Sequence, residues 1–229
     1  LTLEPLSALV DQPVDITHHP THSLAFVVGK GTDNVLVLNT ASPDPMNTPL
    51  GILDVGMAPT GIALSDDGLY AYILNSQSFD VSMVEIAPLL EMPYTDAQVV
   101  SAGLEDMLHM KGNFNGWTSF SQFTNPVRLV HTVVASFGVD PLPEALRTGR
   151  RIFTFARNES VSHGGDFGCA SCHFEGGEDG NVWQRPAGPR STMPVYGGTL
   201  GTGLILWKGV RLHMGETGPM FGGENGGDG

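Results

Sequence analysis

Leu24-Ala-Phe-Val-Val28 and Tyr70-Ala-Tyr-Ile-Leu74 are two versions of one strand, 46 residues apart in a chain of 229. Both are rich in the β-branched and aromatic residues that suit a half-buried pleated surface. The match extends on either side without a gap. Upstream, Pro13-Val-Asp-Ile16 falls on Pro59-Thr-Gly-Ile62; downstream, Val35-Leu-Val-Leu38 falls on Val81-Ser-Met-Val84. Asp66-Asp-Gly68 is a turn signal, and Pro20-Thr-His22 holds the same place in the first copy. Each copy therefore reads as strand, turn, strand, turn, strand. The alternation is imperfect, as expected of strands covered on both faces.

A period of 46 lies within the roughly 40–50 residues of a four-stranded propeller blade. Two blades cannot close a ring, since propellers usually have about four to eight. No third copy follows at the next offset, so the remaining blades are expected either in sequence outside this chain or replaced by another packing partner. The units resemble YVTN-type β-propeller repeats, with Tyr72-Ile-Leu-Asn75 as this chain's form of the tetrapeptide.

The second informative stretch is Cys169-Ala-Ser-Cys-His173, which holds the only two cysteines of the chain. C-x-x-C-H is the covalent attachment signature of a c-type haem. Each sulfur can form a thioether to one vinyl group, and the histidine then sits under the iron as an axial ligand. Three other readings compete. A redox-active C-x-x-C pair usually follows a strand in a βαβ pattern, whereas this one follows a Gly-rich loop. The run could be half of a zinc site, but no second Cys pair completes a tetrahedral set. A plain structural disulfide is the third.

Before the motif, Pro143-Glu144 suits a helix start. Leu142, Ala145, Leu146, Gly149, Ile152, Phe153 and Ala156 follow three-four spacing and make one apolar stripe, with Arg147, Arg150, Arg151 and Arg157 on the other side. Between repeat and helix, Met107, Met110, Phe114, Trp117, Phe120 and Phe123 form a sparse apolar series read as core packing.

From about Pro141 onward the chain resembles the haem domain of the bacterial dihaem cytochrome c peroxidase superfamily. The resemblance is carried by Leu146-Arg-Thr-Gly-Arg-Arg-Ile-Phe153, by Cys169 through Trp183 with its Asp179-Gly180, and by Pro189-Arg-Ser-Thr192, Tyr196-Gly-Gly198 and Leu206-Trp-Lys-Gly209. A subgroup of that superfamily fuses such domains to YVTN-type propellers. The resemblance implies that Cys169, Cys172 and His173 hold the electron-transfer haem and that Trp207 matches the tryptophan between two haems. The chain departs from the pattern in two ways. It has no second C-x-x-C-H, and no histidine from Phe174 to Arg190 to serve as distal ligand.

The sequence thus predicts a mixed fold. β-propeller-type blades in an incomplete ring span 1–90, a connecting region spans 91–140, and a mainly α-helical cytochrome c-type haem domain spans 141–229. Candidates for the sixth iron ligand are Met214, His213 and Met193, with Met220 and His163 further afield. His18, His19 and His22 crowd one early turn and are a weaker metal candidate. Gly222 to Gly229 resembles one imperfect copy of a calcium-binding glycine-aspartate repeat.

Net charge is −13, which argues against nucleic acid and suits a basic redox partner. No apolar run is long enough for a membrane span. Haem c implies export, so a periplasmic or extracellular setting is expected, with a leader removed before Leu1. Three functions follow. One covalent haem passing electrons to a partner protein or further haem domain ranks first. A dihaem peroxidase-like oxidoreductase acting on peroxide, its second haem outside this chain, ranks next. A scaffolding propeller in a larger assembly ranks last.

Overall fold

The computed structural model describes residues 10–42, 48–90, 98–101, 126–129, 131–161, 167–184 and 188–197. The chain divides into two compact units, Leu1–Arg147 and Thr148–Gly229.

In the first unit, the repeat recurs strand for strand. β1 (Pro13–His18), β2 (Leu24–Gly29) and β3 (Asn34–Asn39) have counterparts 46 residues on in β5 (Pro59–Leu64), β6 (Tyr70–Asn75) and β7 (Asp80–Glu85). The agreement reaches single bonds. Lys30 N–H donates to Gln12 O and Gly31 N–H to Asp11 O. In the second copy Ser76 N–H donates to Ala58 O and Gln77 N–H to Met57 O. Asp11 N–H donates to Thr32 Oγ at 3.3 Å and Met57 N–H to Ser78 Oγ at 3.0 Å. Gln12 and Ala58 share a positive φ, as do Asp33 and Phe79. A bulge interrupts the first strand pair at Pro13–Asp15 in one copy and at Pro59–Gly61 in the other. Such matched irregularities are costly to hold individually, so their recurrence marks two builds of one unit.

Each copy acquires a fourth strand. β4 (Pro49–Asp54) pairs antiparallel with β3. In the second copy the fourth strand is β10 (His131–Ser136), which pairs antiparallel with β7 only after an insertion. That insertion contributes β8 (Gln98–Ser101) and β9 (Pro126–Leu129), added in parallel beyond β4. The sheet orders are β1-β2-β3-β4-β8-β9 and β5-β6-β7-β10.

The core lies between these sheets. Phe26, Val28, Val35, Val37 and Leu53 from the first meet Ala71, Ile73 and Val84 from the second, with Ile62 and Leu64 packed alongside. Polar links rim the seam. Asp15 Oδ2 accepts from Ile62 N–H at 2.9 Å, and Asp33 Oδ1 from Ala58 N–H at 2.8 Å. His131 Nδ1 lies 2.9 Å from Asp54 O. The turn at Asp66-Asp67-Gly68 is held by Asp67, whose carboxylate accepts from Ser65 Oγ and from Leu69 N–H. Those bonds, that from Ser65 foremost, keep its carboxyl below the ordinary value.

The second unit corrects the expected fold class. Among the described residues no mainly α-helical haem domain is evident; they are chiefly antiparallel sheet. Among the described residues from 141 onward, helix is confined to Glu144–Thr154, the single turn Cys169–Cys172 and the 3₁₀ turn Phe174–Gly176. A small ribbon pairs β11 (Val182–Trp183) with β12 (Arg190–Ser191). The apolar stripe does form its helix. Beyond it the backbone enters left-handed conformations at Glu175, Gly176 and Gly180, which no helix can continue through. The sequence shows the stop as a Gly-rich stretch after Asn158; the helical expectation beyond it came from the family resemblance.

Replacing Ile73, fully buried in the seam, by Ala should cost about 3 kcal/mol. The check is the urea midpoint of the first unit's unfolding transition; a loss under about 1 kcal/mol would mean that the seam does not carry this unit's stability.

Candidate functional site

The C-x-x-C-H run occupies one helical turn and its exit. Cys169 and Cys172 are three positions apart on that turn and so share a face. His173 is the C-cap, its N–H donating to Cys169 O at 2.9 Å. The turn starts sharply because Gly168 N–H donates to Ser171 Oγ at 2.8 Å. Gly168 also allows a close approach: a Cβ there would lie 3.1 Å from the carbonyl oxygens of Thr154 and Phe155. The motif is thereby pressed against the end of the helix Glu144–Thr154. Phe153, on that helix, sets its ring 6.4 Å from the His173 imidazole. Arg151 stacks its guanidinium over Phe155 at 3.8 Å.

Three observations bear on the chemistry. Cys169 and Cys172 are not joined in a disulfide. Burial pushes the Cys169 thiol above its ordinary value, outweighing a backbone hydrogen bond that acts the other way. Reactive C-x-x-C cysteines have their thiol lowered, because the thiolate is the nucleophile; Cys169 is shifted in the opposite sense. His173 Nδ1 is buried and has no hydrogen-bond partner among the described residues, a state that ordinarily costs about 1–3 kcal/mol. Two half-buried thiols and an imidazole with one nitrogen unmet among the described residues form a donor set that fits covalent haem, and the exposed ring of Phe174 adds apolar surface.

A second cluster forms where the sequence had shown only an order of motifs. Asp179 accepts from Asn181 N–H at 3.0 Å and from Trp183 Nε1 at 2.7 Å. Thr192 also bonds its carboxylate. Burial opposes ionisation of Asp179, but the bonds from Asn181, Thr192 and Trp183 together outweigh it and hold the carboxyl below its ordinary value. Asp179, Trp183 and the Arg190-Ser-Thr192 segment thus converge on one turn, closed by the β11–β12 pair. Val195 and Tyr196 then fold back, both N–H groups donating to Gly176 O.

Of the sixth-ligand candidates, Met193 is half-buried within this returning segment. Trp207, His213, Met214 and Met220 lie outside the described residues, as do His163 and the glycine-rich 222–229 tract. The histidine cluster is not a metal centre. His19 Nδ1 accepts from Thr21 and His22 N–H, and Nε2 lies 2.9 Å from Gly68 O. Both ring nitrogens are thus spent on the turn, and among the described residues no group of His, Cys, Asp and Glu is gathered to hold a metal ion. No helix among them is long and apolar enough to cross a membrane.

No protein-family model matches the chain, and no curated protein matches it. Among solved structures it is similar to Kuenenia stuttgartiensis hydrazine synthase, at 26% identity and a TM-score of 0.31. The match covers 34% of this chain and 21% of that one, so the chain spans about a fifth of the structure it matches.

Asp179→Asn should cost about 1 kcal/mol at neutral pH, discounted for the solvated setting of the bonds. Because the folded-state carboxyl is held low, its contribution is present above the unfolded-state value and lost as pH falls through the folded one. The wild type should therefore lose more stability in acid than the variant does. Unfolding curves at several pH values, followed by tryptophan fluorescence, check this; parallel acid losses in both proteins would refute it.

Proposed function

We propose that Cys169, Cys172 and His173 hold one covalent haem c, and that the protein carries single electrons in an exported setting. The observation that carries the reading is the donor set itself: two thiols on one face of a helical turn, followed by an imidazole whose buried Nδ1 no described residue satisfies. When bound, haem supplies a one-electron iron couple whose potential the axial ligands tune. Each thiol adds across one vinyl double bond, sulfur to one carbon and hydrogen to the other, so the attachment needs no external oxidant. Cys169, kept protonated by burial, suits that addition better than thiol–disulfide exchange. His173 gives one ring nitrogen to the iron, which fixes the proton on the other.

The resemblance to propeller repeats fused to a haem domain of the dihaem peroxidase superfamily supports the same assignment. In this reading the first unit is a pair of propeller-type blades that positions the haem-bearing turn or binds its redox partner. Electron transfer is preferred to peroxide chemistry because the chain has one C-x-x-C-H and no histidine from Phe174 to Arg190. The net charge of −13 would steer a basic partner.

After exported expression in a host that attaches haem c, intact mass and a pyridine haemochrome spectrum should count one haem per chain. Cys169→Ala or Cys172→Ala should leave a single thioether, and His173→Gly should abolish the wild-type optical spectrum. The electron-transfer assignment predicts low-spin iron that does not react with peroxide. Colourless wild type with both thiols open to alkylation would overturn the haem assignment.

A further inference from the structure

The covered imidazoles of the first unit have ring nitrogens held by the fold. His19 Nδ1 accepts two backbone N–H groups, and its Nε2 meets Gly68 O. His22 Nδ1 lies 3.0 Å from Thr21 Oγ, and His131 Nδ1 lies 2.9 Å from Asp54 O. His173 is different. Its main chain is tied at both ends, N–H donating to Cys169 O at 2.9 Å and O accepting from Gly176 N–H at 2.8 Å. Its ring is placed by packing, against the Phe153 ring at 6.4 Å and 36°. Nδ1 is buried and unmet among the described residues; Nε2 is not closed off, and no described residue bonds it. The carbonyls nearest in the chain are already in use. Gly168 O takes Ser171 N–H, Phe174 O takes Gly177 N–H, and Gly176 O takes the N–H groups of Val195 and Tyr196.

We propose that His173 meets the iron through Nε2 and keeps on Nδ1 a proton that no acceptor takes, which raises the reduction potential above that of the same haem with a bonded N–H. The inference rests on the haem reading above. The nitrogen left open is the one an iron can reach, so the buried one carries the proton. A ligating histidine ordinarily gives its other N–H to a carboxylate, a carbonyl or a water, and that bond makes the ring a stronger donor to the metal. A stronger donor favours the ferric state, which carries the extra positive charge. Here the neighbouring ring is Phe153, which offers no such acceptor, so the ferrous state is favoured instead. Burial of Nδ1 keeps water from taking the acceptor's place.

Nitrogen NMR on the haem-loaded full chain, with isotope-labelled histidine and ferrous iron, reads both ring nitrogens; carbon monoxide is added if the iron is high-spin. The expected spectrum has Nε2 on the iron and a protonated Nδ1 whose proton lacks the downfield shift of a hydrogen bond. Iron on Nδ1, or a hydrogen-bonded Nδ1 proton, would overturn the proposal. Potentiometry tests the consequence. Phe153→Gln and Phe153→Asn bring an amide oxygen to the ring's neighbour, and Phe153→Leu removes the aromatic ring without one. In whichever variant the NMR shows the Nδ1 proton bonded, the ferric form should gain at least ~10-fold over Phe153→Leu, about 59 mV for one electron. A bonded variant that keeps the potential of Phe153→Leu would sink the proposal as surely as the wrong wild-type spectrum. Colourless wild type defeats the haem reading itself, whereas a coloured protein with a bonded Nδ1 proton defeats this inference alone.

Discussion

The packing of one antiparallel sheet on another is the constraint from which the first unit follows. Neither four-strand set can hide its apolar face alone, and an isolated sheet of this size gains little in water. At about 25 cal/mol per Å² of apolar surface removed from water, the cluster around Phe26, Leu53 and Ile73 is the dominant favourable term. The polar links act on geometry rather than on driving force. Asp15 and Asp33 each cap a backbone N–H of the opposite sheet that would otherwise be left unmet at the rim. They fix how the sheets lie, while the apolar seam fixes that they meet.

Much of this unit was legible because its signals are local and doubled. Strand composition, turn residues and their 46-residue recurrence reinforce one another, and the three-strand reading of each copy coincides with β1–β3 and β5–β7. The fourth strands were not legible. His131–Ser136 reaches β7 across an insertion, and Gln98–Ser101 joins β4 in parallel; neither pairing leaves a local pattern, because non-local ladders are decided by tertiary packing. The matched positive φ values at Asp33 and Phe79 were likewise invisible, since neither residue announces a left-handed backbone as glycine would.

The candidate site was legible for a different reason. Its three donors are contiguous, and a contiguous motif survives any error about the surrounding fold. That surrounding was misread. The helical domain was expected from the resemblance to a haem-domain family, whereas the amphipathic stripe over 142–156 licenses only the helix that bears it. What followed was a chain of turns held by side chains, with Asp179 gathering Asn181, Trp183 and Thr192. The order Asp-Gly, Trp, Arg-x-Thr had been noted only as a resemblance; its physical content is that these residues build one hydrogen-bonded turn.

The two units therefore rest on different physics. The first has a thick apolar seam. In the second, the buried side chains among the described residues are Thr154, Ala156 and Ala170, which remove little apolar area from water. Phe174, Val182, Trp183 and Tyr196 remain exposed there. On the proposed haem assignment, a covalent porphyrin at Cys169 and Cys172 would bring apolar surface to a unit whose described residues bury little of it, so attachment and folding would be coupled as they are in other small domains built around a bound group. Under that proposal the glycine-rich turns would frame a core that the bound group partly supplies.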